Sequence, residues 1–211
     1  GPAAADAARP TLRAELRTYA VRMAHSINDR SVMMLVLGGF TLFFVRYGML
    51  TVVPLLATRN LGIGPALVGL VLSLIGVVRV LVSPLAGGLL SYVSRRVAFA
   101  GTMCIVAAGM ALLTVVPDVR SLAFALVVFA TGMALFNPLL NDAVAAAGTA
   151  DTRAGFVSAM QMGKNVANTV APAAFTLVLT LADFATVFVF ATAVCLVYAG
   201  SILVVLDRSA Y

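Results

Sequence analysis

Residues 65–96 read PALVGLVLSLIGVVRVLVSPLAGGLLSYVSRR, and no other stretch constrains the fold as strongly. A helix rises about 1.5 Å per residue, so about 20 apolar residues cross the hydrocarbon core of a bilayer. The run 66–93 is long enough to do so as one helix. Gly69, Ser73, Gly76, Ser83 and Gly87 recur at spacings of three, four and seven. That spacing collects small residues on one face, where a second membrane helix can approach closely. Arg79 stands on the shoulder of this face, and the chain leaves the membrane at Arg95-Arg96. A packed transmembrane helix with a charge at mid-depth is therefore expected. Composition agrees: 62% of the 211 residues are hydrophobic and 10% charged, with mean hydropathy +1.07. Soluble domains are roughly 25% charged. The chain is expected to be an all-α integral membrane protein.

Six transmembrane helices are predicted, at 32–56, 66–93, 97–116, 122–147, 154–181 and 184–206. The links TRNLGIGP, SRR, PDVRS, GTADTR and AD are short enough to force consecutive helices antiparallel. Four regions follow: 1–9, disordered and opening on a Gly1-Pro2 that looks like a tag remnant; 10–30; the six-helix bundle, 31–207; and a tail, 208–211. In 10–30, Leu12, Leu16, Tyr19, Ala20, Met23 and Ile27 fall at helical spacing with Arg13 and Arg17 on the flank. That region reads as an amphipathic helix on the membrane surface, or packed on neighbouring protein.

The arginines set the orientation. One side holds Arg9, Arg13, Arg17, Arg22, Arg30, Arg95, Arg96, Arg153 and Arg208, and the other only Arg59 and Arg120. The positive-inside rule then predicts both termini in the cytoplasm of a multi-pass cell-membrane protein. Net charge +6 does not point to nucleic acid, because the basic residues are spread over links and not gathered in a patch. Cys104 and Cys195 both lie in apolar runs and read as core packing.

The stretch from Gly87 to Arg96 resembles, in degenerate form, the G-x-L-A-D-R-x-G-R-R signature that follows the second helix of each half of a major facilitator superfamily transporter. Gly87, Leu89, Arg95 and Arg96 fit it, while Ser91, Tyr92 and Ser94 stand at the acidic, basic and glycine positions. Tyr47-Gly48, Pro54-Leu55-Leu56, Ser83-Pro84-Leu85-Ala86-Gly87, Asn137-Pro138 and Asp151-Thr152-Arg153-Ala154-Gly155 are similar to other parts of such a half. The likeness is closest to the C-terminal six-helix half, with 10–30 resembling the central cytoplasmic linker. The antiporter signature of the fifth helix is only hinted at, by Gly163 and Ala171-Pro172. The resemblance implies alternating access, in which two six-helix halves rock about a central site. One half cannot enclose that site, so a second half or a second copy is expected to complete it.

Three basic residues fall within the predicted spans: Arg46, Arg79 and Lys164. Arginine stays protonated, and a charge at mid-depth costs roughly 2.5–3.5 kcal/mol on insertion scales. Such a charge must find an anion, backbone carbonyls or water. No acidic residue lies deep in any predicted span, so an anionic partner would be a substrate or an acid on another half, while Arg79 beside small residues could instead pin neighbouring helices through carbonyls. In the fifth span Ser158, Gln161, Lys164, Asn165, Asn168 and Pro172 form a polar stripe at three- and four-residue spacing. Such a stripe belongs in the bundle interior or a watery cavity, though interhelical hydrogen bonding alone would also account for it. Arg46, Arg79, Gln161, Lys164, Asn165 and Asn168 are the candidate substrate-binding residues. Gly87, Arg95, Arg96 and Asp142 are the candidate gating residues, by a link between Asp142 and the arginines, against which a plain helix-end ion pair must be weighed.

Catalysis is not expected. The single histidine, His25, precedes the first span, and no Cys/His/Glu cluster or phosphate loop occurs, so no metal or cofactor is expected. The expected function is transport of a small molecule, with an anion as one option and proton-coupled efflux as one form. A non-transporting six-helix scaffold or assembly subunit is the alternative. Expected partners are membrane lipid, the solute, and a homodimer mate or second six-helix half, with no nucleic acid.

Overall fold

The computed structural model describes residues 30–146 and 150–205. The expected amphipathic helix at 10–30, apart from its last residue, and the tail at 208–211 lie outside them. Within the described residues the chain forms seven α-helices and no strand: α1 Arg30–Arg59, α2 Pro65–Val82, α3 Leu85–Tyr92, α4 Arg95–Leu112, α5 Val119–Ala146, α6 Ala150–Leu181 and α7 Phe184–Val205. A short 3-10 turn, Leu113–Val115, extends α4. The links after α1, α4 and α6 share one end of the bundle, called here the Arg59 end. The links after α3 and α5 share the other, the Arg95 end.

The helix expected at 66–93 is broken. Pro84 has no N–H to donate and its ring crowds the carbonyl four residues back, so the ladder stops at Ser83. The Ser83 amide still bonds the Arg79 carbonyl at 3.0 Å, and α3 restarts with the Ala86 amide on the Ser83 carbonyl at 3.2 Å. Arg79 is left in the last turn of α2, where helix carbonyls face a cation favourably.

Among the described residues, five helical segments are long and apolar enough to cross a bilayer: Met33–Arg59, Pro65–Val82, Arg95–Val115, Val119–Ala146 and Phe184–Val205. The fifth expected span, 154–181, forms the helix α6, but its Gln161, Lys164, Asn165 and Asn168 keep it less apolar than those five, so five of the six expected spans meet the length and hydropathy of a crossing helix.

Packing pairs α1 with α6, α5 with α4 and α2, and α7 with α4. Two aromatic clusters tie these pairs together. Phe44 of α1 meets Phe175 of α6 edge-on at 5.5 Å, and both rings meet Phe190 of α7. Phe136 of α5 sits between Phe99 of α4 at 5.3 Å and Tyr198 of α7 at 6.2 Å. The Tyr198 hydroxyl donates to the Met34 carbonyl at 3.2 Å, which satisfies a polar group that hydrocarbon would otherwise strand. α4 and α5 come closest where Gly109 lies on the Phe129 backbone and Gly132 on Val106.

The links close with standard devices. Gly62, at φ +62°, ends α1 in the left-handed region and lets the Ile63 amide return to the Ala57 carbonyl at 3.0 Å. Asp118 and Asp183 cap α5 and α7, accepting the Ser121 and Thr186 amides at 2.8 Å each. Bonds from the Ser121 and Thr186 hydroxyls, then from those amides, hold both carboxyls below the usual range.

Two further expectations are corrected here. α2 buries only Val68, Val71 and Ile75, on one stripe against α5. Its small residues meet no other helix of this chain: a side chain at Gly69 or Gly76, or at Gly87 on α3, would meet nothing within 4 Å. Cys195 is buried, but Cys104 is exposed, because its position on α4 points outward from the α5 and α7 contacts.

Candidate functional site

Antiparallel packing brings the spans' three cations to similar depths. Counted inward from the Arg59 end, Arg46 lies thirteen residues along α1 and Arg79 fourteen along α2, about 20 Å in each case at about 1.5 Å per residue. α1 and α2 touch, and the two guanidiniums are within electrostatic range of each other. Both are half-buried. Arg46 also has its guanidinium carbon 5.9 Å from the Tyr47 ring centroid.

Lys164 enters from α6. Its Nζ lies 4.4 Å from the centroid of Phe43, on α1, a separation at which a ring face attracts a cation. Phe43 precedes Arg46 by three residues, so it occupies the adjacent turn of α1 on a neighbouring face. The tight α1–α6 packing makes this contact possible, and the small Gly163 beside Val36 and Phe40 supports it.

Among the described residues, Arg46, Arg79 and Lys164 form no ion pair or hydrogen bond. The described acids stand elsewhere. Asp118 and Asp183 cap helices at the Arg59 end, and Asp142 lies toward the Arg95 end of α5. Three cations therefore lie at similar depths without a carboxylate beside them among the described residues.

A cleft of about 330 Å³ between α5 and α6 includes Lys164 in its lining. Asn141, Val144 and Ala145 of α5 and Val157, Met160, Gln161 and Lys164 of α6 line it. It exists because α5 and α6, though consecutive, barely touch. Its volume is within the range of small-ligand sites, about 300–1,000 Å³. Gln161 and Lys164 are thus brought together. Asn165 and Asn168 are not: both are exposed on the outer surface of α6, so the stripe is not wholly interior to this chain.

The gating candidates divide similarly. Arg95 Nη2 meets Asp142 Oδ2 at 3.4 Å, joining α4 to α5, with the side chains 31% and 53% exposed. A pair so open to solvent contributes little, so Asp142→Asn is expected to lower stability by no more than about 1 kcal/mol in a thermal melt of the solubilised protein. Gly87 faces open space, away from this pair.

Two participants escaped the sequence argument. Phe43 was not singled out, although an aromatic one turn from a cation in an apolar run is a recognisable signal. Asn141 was not singled out either, yet it lines the same cleft as Lys164. Asn137, by contrast, is structural, its amide donating to the Met133 carbonyl at 2.9 Å just before Pro138. The chemistry on offer is non-covalent: fixed positive charge, amide groups and aromatic faces.

The family model for the Major Facilitator Superfamily matches residues 35–210. Among curated proteins, none matches the chain.

Proposed function

The chain belongs to the major facilitator superfamily, and from that premise we propose that it moves a small solute across the cell membrane by alternating access. The observation that carries this is the open cleft between α5 and α6, with Gln161 and Lys164 in its lining. In the proposal Arg46, Arg79, Gln161, Lys164, Asn165 and Asn168 hold the solute. Arg95 and Asp142 make and break a latch at the cytoplasmic face, with Arg96 as the further gating candidate. Both termini are then cytoplasmic, as the excess of arginine at that end favours.

The outer surfaces of α2 and α6 support a partner. On α2, Leu70, Val77, Val80 and Leu81 are 62%, 54%, 75% and 68% exposed, beside the unfilled glycine face. On α6, Asn165 and Asn168 are exposed between apolar neighbours such as Val166 and Val170. Lipid suits the leucines and valines but not the two amides. A second six-helix half, or a second copy, covering α2 and α6 would satisfy both. Proton-coupled efflux would require a titrating carboxylate beyond those described in the spans.

The other reading, a membrane scaffold, is favoured by the same apolar surface of α2. Labelling separates the two. In a background with both native cysteines replaced by serine, a cysteine at Gln161 is expected to react with an impermeant thiol reagent from the cytoplasmic side. Cysteines at Asn60 and Pro117 should react only from outside. Under alternating access, conditions that shift the cycle slow the cytoplasmic reaction at Gln161 and open one from outside. One-sided, invariant labelling would support the scaffold, and outside-only labelling at Arg95 would overturn the orientation.

A further inference from the structure

The arrangement of Arg46, Arg79 and Lys164 narrows the class of solute, an inference that rests on the transport proposal above. Two guanidiniums at a common depth on touching helices repel each other, and among the described residues no carboxylate separates them. Such a pair is stable in a water-poor site only when an anion lies between its members or water keeps them apart. Guanidinium supplies a planar fork of donors that matches carboxylate and phosphate oxygens. Lys164 supplies a third positive charge near Phe43, on the turn of α1 next to Arg46 and toward the cleft. Its ammonium already has an aromatic face on one side, which leaves its remaining N–H donors for the cleft.

We propose that the site takes an organic dianion: one oxyanion group held in the forks of Arg46 and Arg79, and a second reached by Lys164. The two groups are separated by about one helical turn, ~5 Å. A monoanion would leave two of the three charges unpaired, and a cation would add to the repulsion. Gln161 and Asn141, which share the cleft with Lys164, offer amide groups to the neutral linker between the charges. Both ends can be carboxylate or phosphate, because the fork fits either. A lipid phosphate could enter from the open face of α2, so the test must separate a headgroup from a dissolved solute.

The chain in phosphatidylcholine nanodiscs is titrated with succinate, inorganic phosphate, acetate and choline, and thermal unfolding is followed. At about tenfold excess over its Kd, succinate is expected to raise the melting temperature by about 3 °C or more. Acetate and choline are expected to do so by less than a third as much, and inorganic phosphate, too short to reach both groups, to fall between. Arg79→Ala and Arg46→Ala each abolish the succinate shift. Arg46→Lys, which keeps the charge but loses the fork, weakens succinate binding about tenfold and guards against a variant that fails to fold. Equal shifts with acetate or choline, or a succinate shift that survives Arg79→Ala, overturn the proposal. A shift that appears only when phosphatidylglycerol is added to the bilayer assigns the arginines to a headgroup and also overturns it. Flux of a neutral solute that survives Arg79→Ala would remove the dianion while leaving alternating access intact. Succinate binding joined to invariant one-sided labelling at Gln161 would do the reverse.

Discussion

Gly109→Leu is expected to prevent the bundle from assembling, the largest effect of any single substitution considered. A Cβ at Gly109 would lie 2.5 Å from the Phe129 backbone nitrogen and 2.6 Å from its Cα, so backbone, not a movable side chain, stands in the way. The crowding is reciprocal. A Cβ at Gly132 would lie 2.7 Å from the Val106 nitrogen and 2.9 Å from the Thr102 carbonyl oxygen. α4 and α5 therefore touch along a seam that neither helix can vacate without separating. Overpacking a core costs about 1–3 kcal/mol where side chains can yield, and Gly109→Ala should reach at least that range. A leucine at Gly109 needs the helices to part by most of a side chain, which would also strip Phe99 from Phe136. Gly101→Ala is the control, since nothing lies within 4 Å of that position on the same helix. It should leave stability unchanged or raise it slightly through helix propensity. Size-exclusion profiles and melting curves in mild detergent decide. A monodisperse Gly109→Leu that melts with the parent would show that α4 and α5 do not meet as described.

Lys164 should give the largest functional effect outside the arginine pair. Its ammonium lies 4.4 Å from the Phe43 ring at the deep end of the cleft. Lys164→Ala is expected to reduce solute binding tenfold or more, about 1.4 kcal/mol, while leaving the fold intact. The stem of Lys164→Met fills the same space without charge, which makes it the sharper variant. If Lys164→Met raised the melting temperature and bound solute as well as the parent, the lysine would be an internal liability and not a ligand. Phe43→Leu divides the charge from its platform. It should weaken binding less than Lys164→Ala, because Lys164 keeps its charge but loses the ring that positions it.

Both predictions depend on contacts between helices, which local sequence does not encode. Apolar runs and short polar links are local properties, so the helices, their antiparallel order and their approximate limits could be read directly from residues such as Arg59, Arg95-Arg96 and Asp183. The G-x-L and Arg-Arg pieces around Gly87 and Arg96 pointed to the family for the same reason. The break at Ser83-Pro84 was legible in principle, since a proline's missing N–H acts within one turn, yet the long apolar run on either side concealed it. Small residues mislead differently. Gly69 and Gly76 have the spacing of a packing face, but Gly109 and Gly132 are the glycines that helices actually close upon. Spacing states only which residues share a face, and the neighbour a face meets is set by how all the helices pack. The same division runs through the site. Arg46, Arg79 and Lys164 announced themselves as charges in apolar runs, because burial of charge is costly wherever it occurs. That two of them share a depth and a boundary, that Lys164 rests near Phe43, and that Asn165 and Asn168 face outward follow from helix rotation and register. Those are set by Phe44, Phe175 and Phe190 interlocking across three helices, a contact among residues too far apart in the chain for any window of sequence to contain.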